Sequence, residues 1–115
     1  MTYLNYPFYL YILTNKLRTV LYVGFTNNIE ERVPEHYRQQ GNPKSFTGRY
    51  NCNIPVYLEG QEFALPGIAR EKQVKKWSRK KKEGLINSMN PLWENLYLKI
   101  FKRWPPIGPH EKSSE

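Results

Sequence analysis

Residues 9–36 read YLYILTNKLRTVLYVGFTNNIEERVPEH. Two tyrosine-bearing apolar runs meet at a short polar break, and an amphipathic run follows. Residues 8–14, FYLYILT, are rich in aromatic and β-branched side chains and lack Gly and Pro, the composition of a strand. Asn15 to Arg18 suits a four-residue hairpin loop, and residues 19–25, TVLYVGF, read as the returning strand. With Thr14 opposite Thr19, Tyr11 falls opposite Tyr22 and Gly24 opposite Tyr9. Opposed residues of an antiparallel pair share a face. This register therefore predicts a face bearing both tyrosines, with space left by the missing side chain of Gly24.

Thr26-Asn27-Asn28 signals a helix start, and Glu30 and Glu31 favour the positive end of a helix running from Ile29 to about Gln39. Ile29, Val33 and Tyr37 recur every four residues and should face the core. Arg32 and His36 form a second i,i+4 row beside them. Pro34 removes one helical hydrogen bond and clashes with the carbonyl of Glu30, so a kink or a late helix start is expected.

Further along, residues 40–53 read as a loop in which Lys44, Phe46, Arg49 and Tyr50 interleave charge with aromatic rings. Residues 54–59 contain a third strand, with Val56 and Leu58 on one face, Tyr57 on the other and Gly60 at its end. A helix is predicted from near Pro66 to about Trp77. Its i,i+3 row is Ile68, Glu71, Val74, Trp77, so Glu71 interrupts an apolar row. A carboxylate there is costly unless it is paired or binds a cation. Ser78 can cap a further helix to about Ser88. Asn90-Pro91 reads as a cap and first position of a last helix, with Leu92, Trp93, Leu96, Tyr97 and Ile100 as its stripe and Pro105-Pro106 as its stop.

A chain of 115 residues has room for one modest core. Residues 1–104 are expected to form a single domain, with a core over about 8–96, and residues 105–115 a disordered tail. Eighteen Lys and Arg against ten Asp and Glu leave a charge of +8, which favours polyanionic partners, nucleic acid above all. Cys52 is the sole cysteine, which excludes an internal disulfide and a Cys-based zinc site; His36 and His110 are too few for a His-rich one. No apolar run can span a bilayer, and a reduced cytoplasmic setting is the expectation.

The ordered set of motifs resembles the GIY-YIG nucleases, notably small stand-alone members and the N-terminal nuclease domain of the excinuclease C subunit. The first motif stands as Tyr9-Leu10-Tyr11 and the second as Tyr22-Val23-Gly24. Arg32 and His36 follow, then Phe46-Thr47-Gly48-Arg49-Tyr50, Ile68-Ala69-Arg70-Glu71-Lys72-Gln73, Lys75-Lys76-Trp77 and Met89-Asn90-Pro91-Leu92-Trp93. The match covers roughly residues 8–96. Tyr9-Leu10 departs from the Gly-Ile of the family name, Pro34 could shift His36 relative to Arg32, and Pro66-Gly67 is unusual ahead of the glutamate.

The resemblance implies an α+β fold, a small three-stranded antiparallel sheet flanked by helices. It implies a metal-dependent endonuclease of the kind found in DNA repair, acting on DNA with a preference for structure over sequence. Tyr11 and Tyr22 would position and activate water, Arg32 would support the phosphate, and His36 would assist proton transfer. Glu71 would bind one divalent cation, Mg²⁺ or Mn²⁺. Asn90 matches a supporting asparagine, with Asn87 as the competing candidate. Backbone contacts to DNA are expected from Lys44, Arg49, Lys75, Lys76, Arg79, Lys80 and Lys81. The chemistry is consistent: an anionic diester repels an attacking anion unless a cation and an arginine neutralise the growing charge. The alternative is a nucleic-acid-binding module that kept the fold without the chemistry.

Overall fold

The computed structural model describes residues 4–107, and His110 and most of the expected tail lie outside them. The elements in order are β1 (Phe8–Thr14), β2 (Leu21–Thr26), α1 (Ile29–Arg38), α2 (Phe46–Arg49), β3 (Ile54–Gln61), α3 (Ala64–Lys75), α4 (Arg79–Met89) and α5 (Leu96–Phe101). The three strands form an antiparallel sheet in the order β2-β1-β3. β1 is central, which explains why Tyr9 through Thr14 are all buried and why its sequence is apolar almost without a break.

Alternate residues of β1 feed two cores. Tyr9, Tyr11 and Leu13 pack with Ile29 and Val33 of α1 and with Leu96 and Tyr97 of α5. Leu10 and Ile12 pack on the other face with Val23, Val56, Tyr57, Val74 of α3 and Ile86 of α4. The result is a sheet between two helical layers, the α+β arrangement expected.

The hairpin register differs from the expected one. Asn15 Oδ1 accepts from the backbone N–H of Thr19 at 2.8 Å and of Val20 at 3.3 Å, and Arg18 takes a left-handed conformation at φ 59°. Thr19 and Val20 therefore belong to the turn. Thr14 pairs with Leu21, Leu13 with Tyr22 and Tyr11 with Gly24. The slip is two residues, and a two-residue slip keeps every side chain on its face. Tyr11 and Tyr22 still share one side of the sheet, as diagonal neighbours.

β3 is longer than read, running through Gly60 to Gln61. A bulge opposite Ile12 and Leu13 changes its alternation. Val56 thereby joins the layer of Tyr57, and Leu58 faces the layer of Tyr11, where Val56 and Leu58 had been expected together.

Helix α1 starts where its cap signal put it. Asn28 Oδ1 accepts from Glu31 N, and the helix passes through a buried Pro34, so the start is not delayed. α3 begins at Ala64, ahead of Pro66, and Gly67 is buried against the ring of Phe25, where a Cβ would collide. The loop at 40–53 holds a one-turn helix, α2, capped by Ser45.

The last helix also starts later than expected. Asn90 closes α4 instead of opening a helix, and Asn95 caps α5 by accepting from Leu98 N at 3.1 Å. Leu92, which was placed in the docking stripe, is 72% exposed. Pro106 packs down in a buried position beyond α5. Among the described residues no helix is long and apolar enough to cross a membrane.

Candidate active site

Tyr11 projects from the centre of the sheet toward α1, where Arg32 and His36 lie one turn apart. The Tyr11 hydroxyl is 2.9 Å from His36 Nε2 and accepts from Arg32 Nε at 3.4 Å. Gly24, directly across the ladder, makes this possible, because a Cβ there would occupy the space of the Tyr11 ring. On its far side, His36 Nδ1 lies 3.0 Å from Thr47 Oγ1, which lies 3.2 Å from Ser45 Oγ. Tyr22 closes the group, its ring centroid 5.4 Å from the imidazole and 6.4 Å from the Tyr11 ring.

Donors and acceptors along this chain fit a single direction. Arg32 can only donate, so the Tyr11 oxygen accepts from it, which leaves the phenol proton free to point at His36 Nε2. A neutral His36 that accepts at Nε2 carries its proton on Nδ1 and donates it to Thr47. Burial drives both central groups into these forms. It pushes the Tyr11 phenol up to about 12, against the hydrogen bond from Arg32, with the charges of Tyr22 and Glu71 adding to the rise. It pulls His36 down to about 4, helped by the positive charge of Arg32. At neutral pH Tyr11 thus holds its proton and His36 is uncharged.

The chain forms one wall of an open pocket of about 460 Å³, lined by Tyr22, Arg32, Glu35, His36, Gln39, Ser45, Phe46 and Thr47. Arg32 Nη1 bonds Glu35 Oε1 at 2.9 Å while its Nε points to Tyr11. The pocket therefore presents a guanidinium, an imidazole, the Tyr22 ring and two hydroxyls at one opening, with the fully buried Tyr11 bonded behind Arg32 and His36.

Of the residues singled out from sequence, Tyr11, Tyr22, Arg32 and His36 converge here. Glu71 comes from α3, in the other layer, and does not line the pocket, yet its charge acts on Tyr11. It is mostly buried and pairs with Lys75 Nζ at 3.1 Å. Among the described residues no three or more His, Cys, Asp or Glu side chains are grouped to hold a metal. A single carboxylate fits a hard cation that takes its other ligands from water and substrate oxygens.

Asn90 is elsewhere. It is 4% exposed, donates to the carbonyls of Val56 and Glu94 at 2.9 Å each, and accepts from Glu94 N at 2.9 Å. It locks the end of α4 to β3. Its competitor Asn87 accepts from Trp93 Nε1 at 2.7 Å.

The basic residues divide into two kinds. Lys44, Lys76 and Lys80 are exposed. Arg79 donates to the carbonyls of Thr19 and Arg18 and pairs with Glu83, Arg49 donates to Pro43 O, and Lys81 lies over the Trp77 ring at 4.2 Å. These three brace the fold as well as charging its surface.

Sequence reasoning assigned no role to Ser45, Thr47, Glu35 or Gln39. The Ser45-x-x-Gly48 spacing was the available signal, since a serine three residues before a free N–H is a helix cap.

The GIY-YIG catalytic domain family matches residues 7–84, well over half the chain. The chain belongs to the GIY-YIG nuclease family. A UPF0213 protein of Natronomonas pharaonis is 37% identical over 78 residues, which cover 68% of this chain and 88% of that one. UPF0213 proteins of Clostridium perfringens and Syntrophus aciditrophicus are 38% identical over 92 residues and 39% over 83, covering 80% and 72% of this chain and 96% and 92% of theirs. No solved structure matches it. Within the GIY-YIG framework the first motif is Tyr9-Leu10-Tyr11 on β1, and the glycine of the second is the residue that makes room for Tyr11.

Proposed function

We propose that this protein is a divalent-metal-dependent endonuclease that hydrolyses DNA phosphodiester bonds at the pocket between α1 and α2. The observation that carries this reading is the hydrogen-bonded run Arg32, Tyr11, His36, Thr47, three of whose members line the pocket while Tyr11 joins them from behind. A purely structural tyrosine needs one partner for its hydroxyl. Here the hydroxyl sits between a fixed cation and a neutral base.

The residues divide the work as follows. Arg32 binds a non-bridging phosphoryl oxygen and offsets the charge that grows there during attack. Tyr11 takes a proton from the attacking water as its own proton passes to His36 Nε2. The water oxygen bonds to phosphorus, the bond to the leaving sugar oxygen breaks, and solvent protonates that oxygen. His36 accepts in the form it already holds at neutral pH. The bound phosphate offsets part of the Arg32 charge that opposes its protonation. Thr47 keeps the imidazole in the tautomer that leaves Nε2 free, and Tyr22 packs against the ring in an edge contact. Glu71 would hold Mg²⁺ or Mn²⁺, which would draw charge from a phosphoryl oxygen and acidify a bound water.

The Glu71–Lys75 ion pair favours a second reading, a nucleic-acid-binding module without chemistry, because that carboxylate already has a cation beside it. The test is nicking of supercoiled plasmid with Mg²⁺ or Mn²⁺ by wild type, Glu71→Ala and Lys75→Ala. The nuclease reading expects metal-dependent nicking that Glu71→Ala abolishes and Lys75→Ala retains. Salt-sensitive binding without nicking in any metal supports the binding module instead.

A further inference from the structure

Phe46 and Tyr50 are large aromatic side chains that the fold leaves in solvent, 48% and 41% exposed. Neither belongs to the two cores. Their rings nevertheless form a continuous run: Tyr22 stacks on Phe46 at 6.1 Å and 29° between planes, and Tyr50 tilts against Phe46 at 5.0 Å and 55°. The backbone beneath is held firmly. Ser45 caps the turn, Gly48 is buried against the carbonyls of Gln39 and Asn42, and Arg49 is bonded to Pro43 O. Exposed rings on a fixed support, outside both cores, mark a contact surface.

Its position limits what it contacts. Phe46 lines the 460 Å³ pocket that holds Arg32 and His36, and it also lines a groove of about 250 Å³ formed by Thr19, Val20, Leu21, Arg79 and Lys82. It stands on the ridge between the proposed phosphate site and a mainly apolar groove edged by Arg79 and Lys82, with exposed Lys44 on the same loop. A flat apolar face flanked by cations complements a nucleotide, whose base is a π-surface and whose backbone is anionic. Bases in a duplex are already stacked and paired, so a protein ring takes an unpaired base at the lowest cost.

We infer that Phe46, backed by Tyr22 and extended by Tyr50, is a stacking subsite for an unpaired nucleobase adjoining the scissile phosphate. This rests on the nuclease reading for the position of that phosphate and adds the substrate class: single-stranded DNA, or a junction with an unpaired nucleotide at the cut. The groove beyond Phe46, with Lys82 and Arg79 at its edge, carries the strand onward.

The test is binding of the full chain to short single-stranded DNA in EDTA, with 2-aminopurine placed at each position in turn, beside a duplex of the same sequence. Wild type is compared with Phe46→Ala, Phe46→Trp and Tyr50→Ala. All three substitutions fall outside the cores, and circular dichroism checks the fold. The subsite predicts that 2-aminopurine fluorescence is quenched at one position and that Phe46→Ala weakens single-strand binding about tenfold or more. Phe46→Trp restores binding, and the duplex is little affected. An abasic site at the quenched position should weaken wild type and leave Phe46→Ala unchanged. Equal binding by wild type and Phe46→Ala, equal losses on duplex, or no binding of any oligonucleotide overturns the subsite. The outcomes separate from those of the nuclease reading. Quenching without cutting in Mg²⁺ keeps the subsite and removes the chemistry, whereas cutting with no dependence on the base at Phe46 does the reverse.

Discussion

The Tyr11 hydroxyl lies 2.9 Å from His36 Nε2, although the two residues are 25 positions apart and come from a central strand and a surface helix. The contact joins a phenol that burial keeps protonated to an imidazole that burial keeps neutral. Their ordinary values are separated by a few units, and the fold widens the gap. A bound phosphate and a cation would both act to narrow it, by favouring the charged products of proton transfer.

His36 should therefore give stability a pH dependence of known sign. Its value is lowered from 6.5 to about 4 in the fold. Between those limits the unfolded chain binds the extra proton, so stability falls as pH drops from about 6.5 toward 4, and His36 contributes no pH dependence above that window. Thermal unfolding across this range should show a smaller decline for His36→Gln than for wild type. Parallel declines would mean that His36 is not held neutral by the fold.

Thr47 offers a test of the imidazole's orientation. Thr47→Val keeps the shape and removes the acceptor for Nδ1–H, which should lower kcat by up to about 10²-fold with little change in KM. Thr47→Ser should restore most of the rate. Nitrogen NMR of the imidazole should show the Nδ1–H tautomer in wild type and a mixture in Thr47→Val. A valine variant with the wild-type tautomer and rate would remove Thr47 from the account.

Gly24→Ala probes the space under the tyrosine. The added Cβ meets the Tyr11 ring. Overpacking of this kind costs roughly 1–3 kcal/mol. Moving the hydroxyl off His36 should lower cleavage by about 10²-fold. Denaturant unfolding and cleavage rates measure the two effects, and an unaltered rate in a destabilised variant would show that Tyr11 can move without consequence.

Much of this was legible in the residues, for identifiable reasons. The central strand announced itself through a run of buried aromatic and β-branched side chains, and the Asn28 cap located α1 to the residue. Strand alternation and i,i+4 spacing are local rules, and they placed Tyr11 with Tyr22 and Arg32 with His36; the roles proposed for all four came from the resemblance to the GIY-YIG family. The hairpin register was not legible, because it depended on one side chain: Asn15 captures two backbone N–H groups and lengthens the turn. The bulge at Val56 arises from pairing with β1, which no local pattern reports. Asn90 looked like a helix start because Asn-Pro is a common one. Its amide instead satisfies buried carbonyls of β3 and of the following turn, a tertiary demand that outweighs the local signal. Thr47 was hidden for the same reason, since its value lies in a residue eleven positions away.

The most direct test of the account is cleavage of labelled single-stranded and branched DNA in Mg²⁺ by wild type and Tyr11→Phe, with binding measured in parallel. Phenylalanine fills the same space and removes only the hydroxyl between Arg32 and His36. The account predicts metal-dependent cutting by wild type, a loss of about 10²- to 10⁴-fold in Tyr11→Phe, and near-equal binding. Cutting by Tyr11→Phe at the wild-type rate, or binding without cutting by wild type on every substrate, would contradict it.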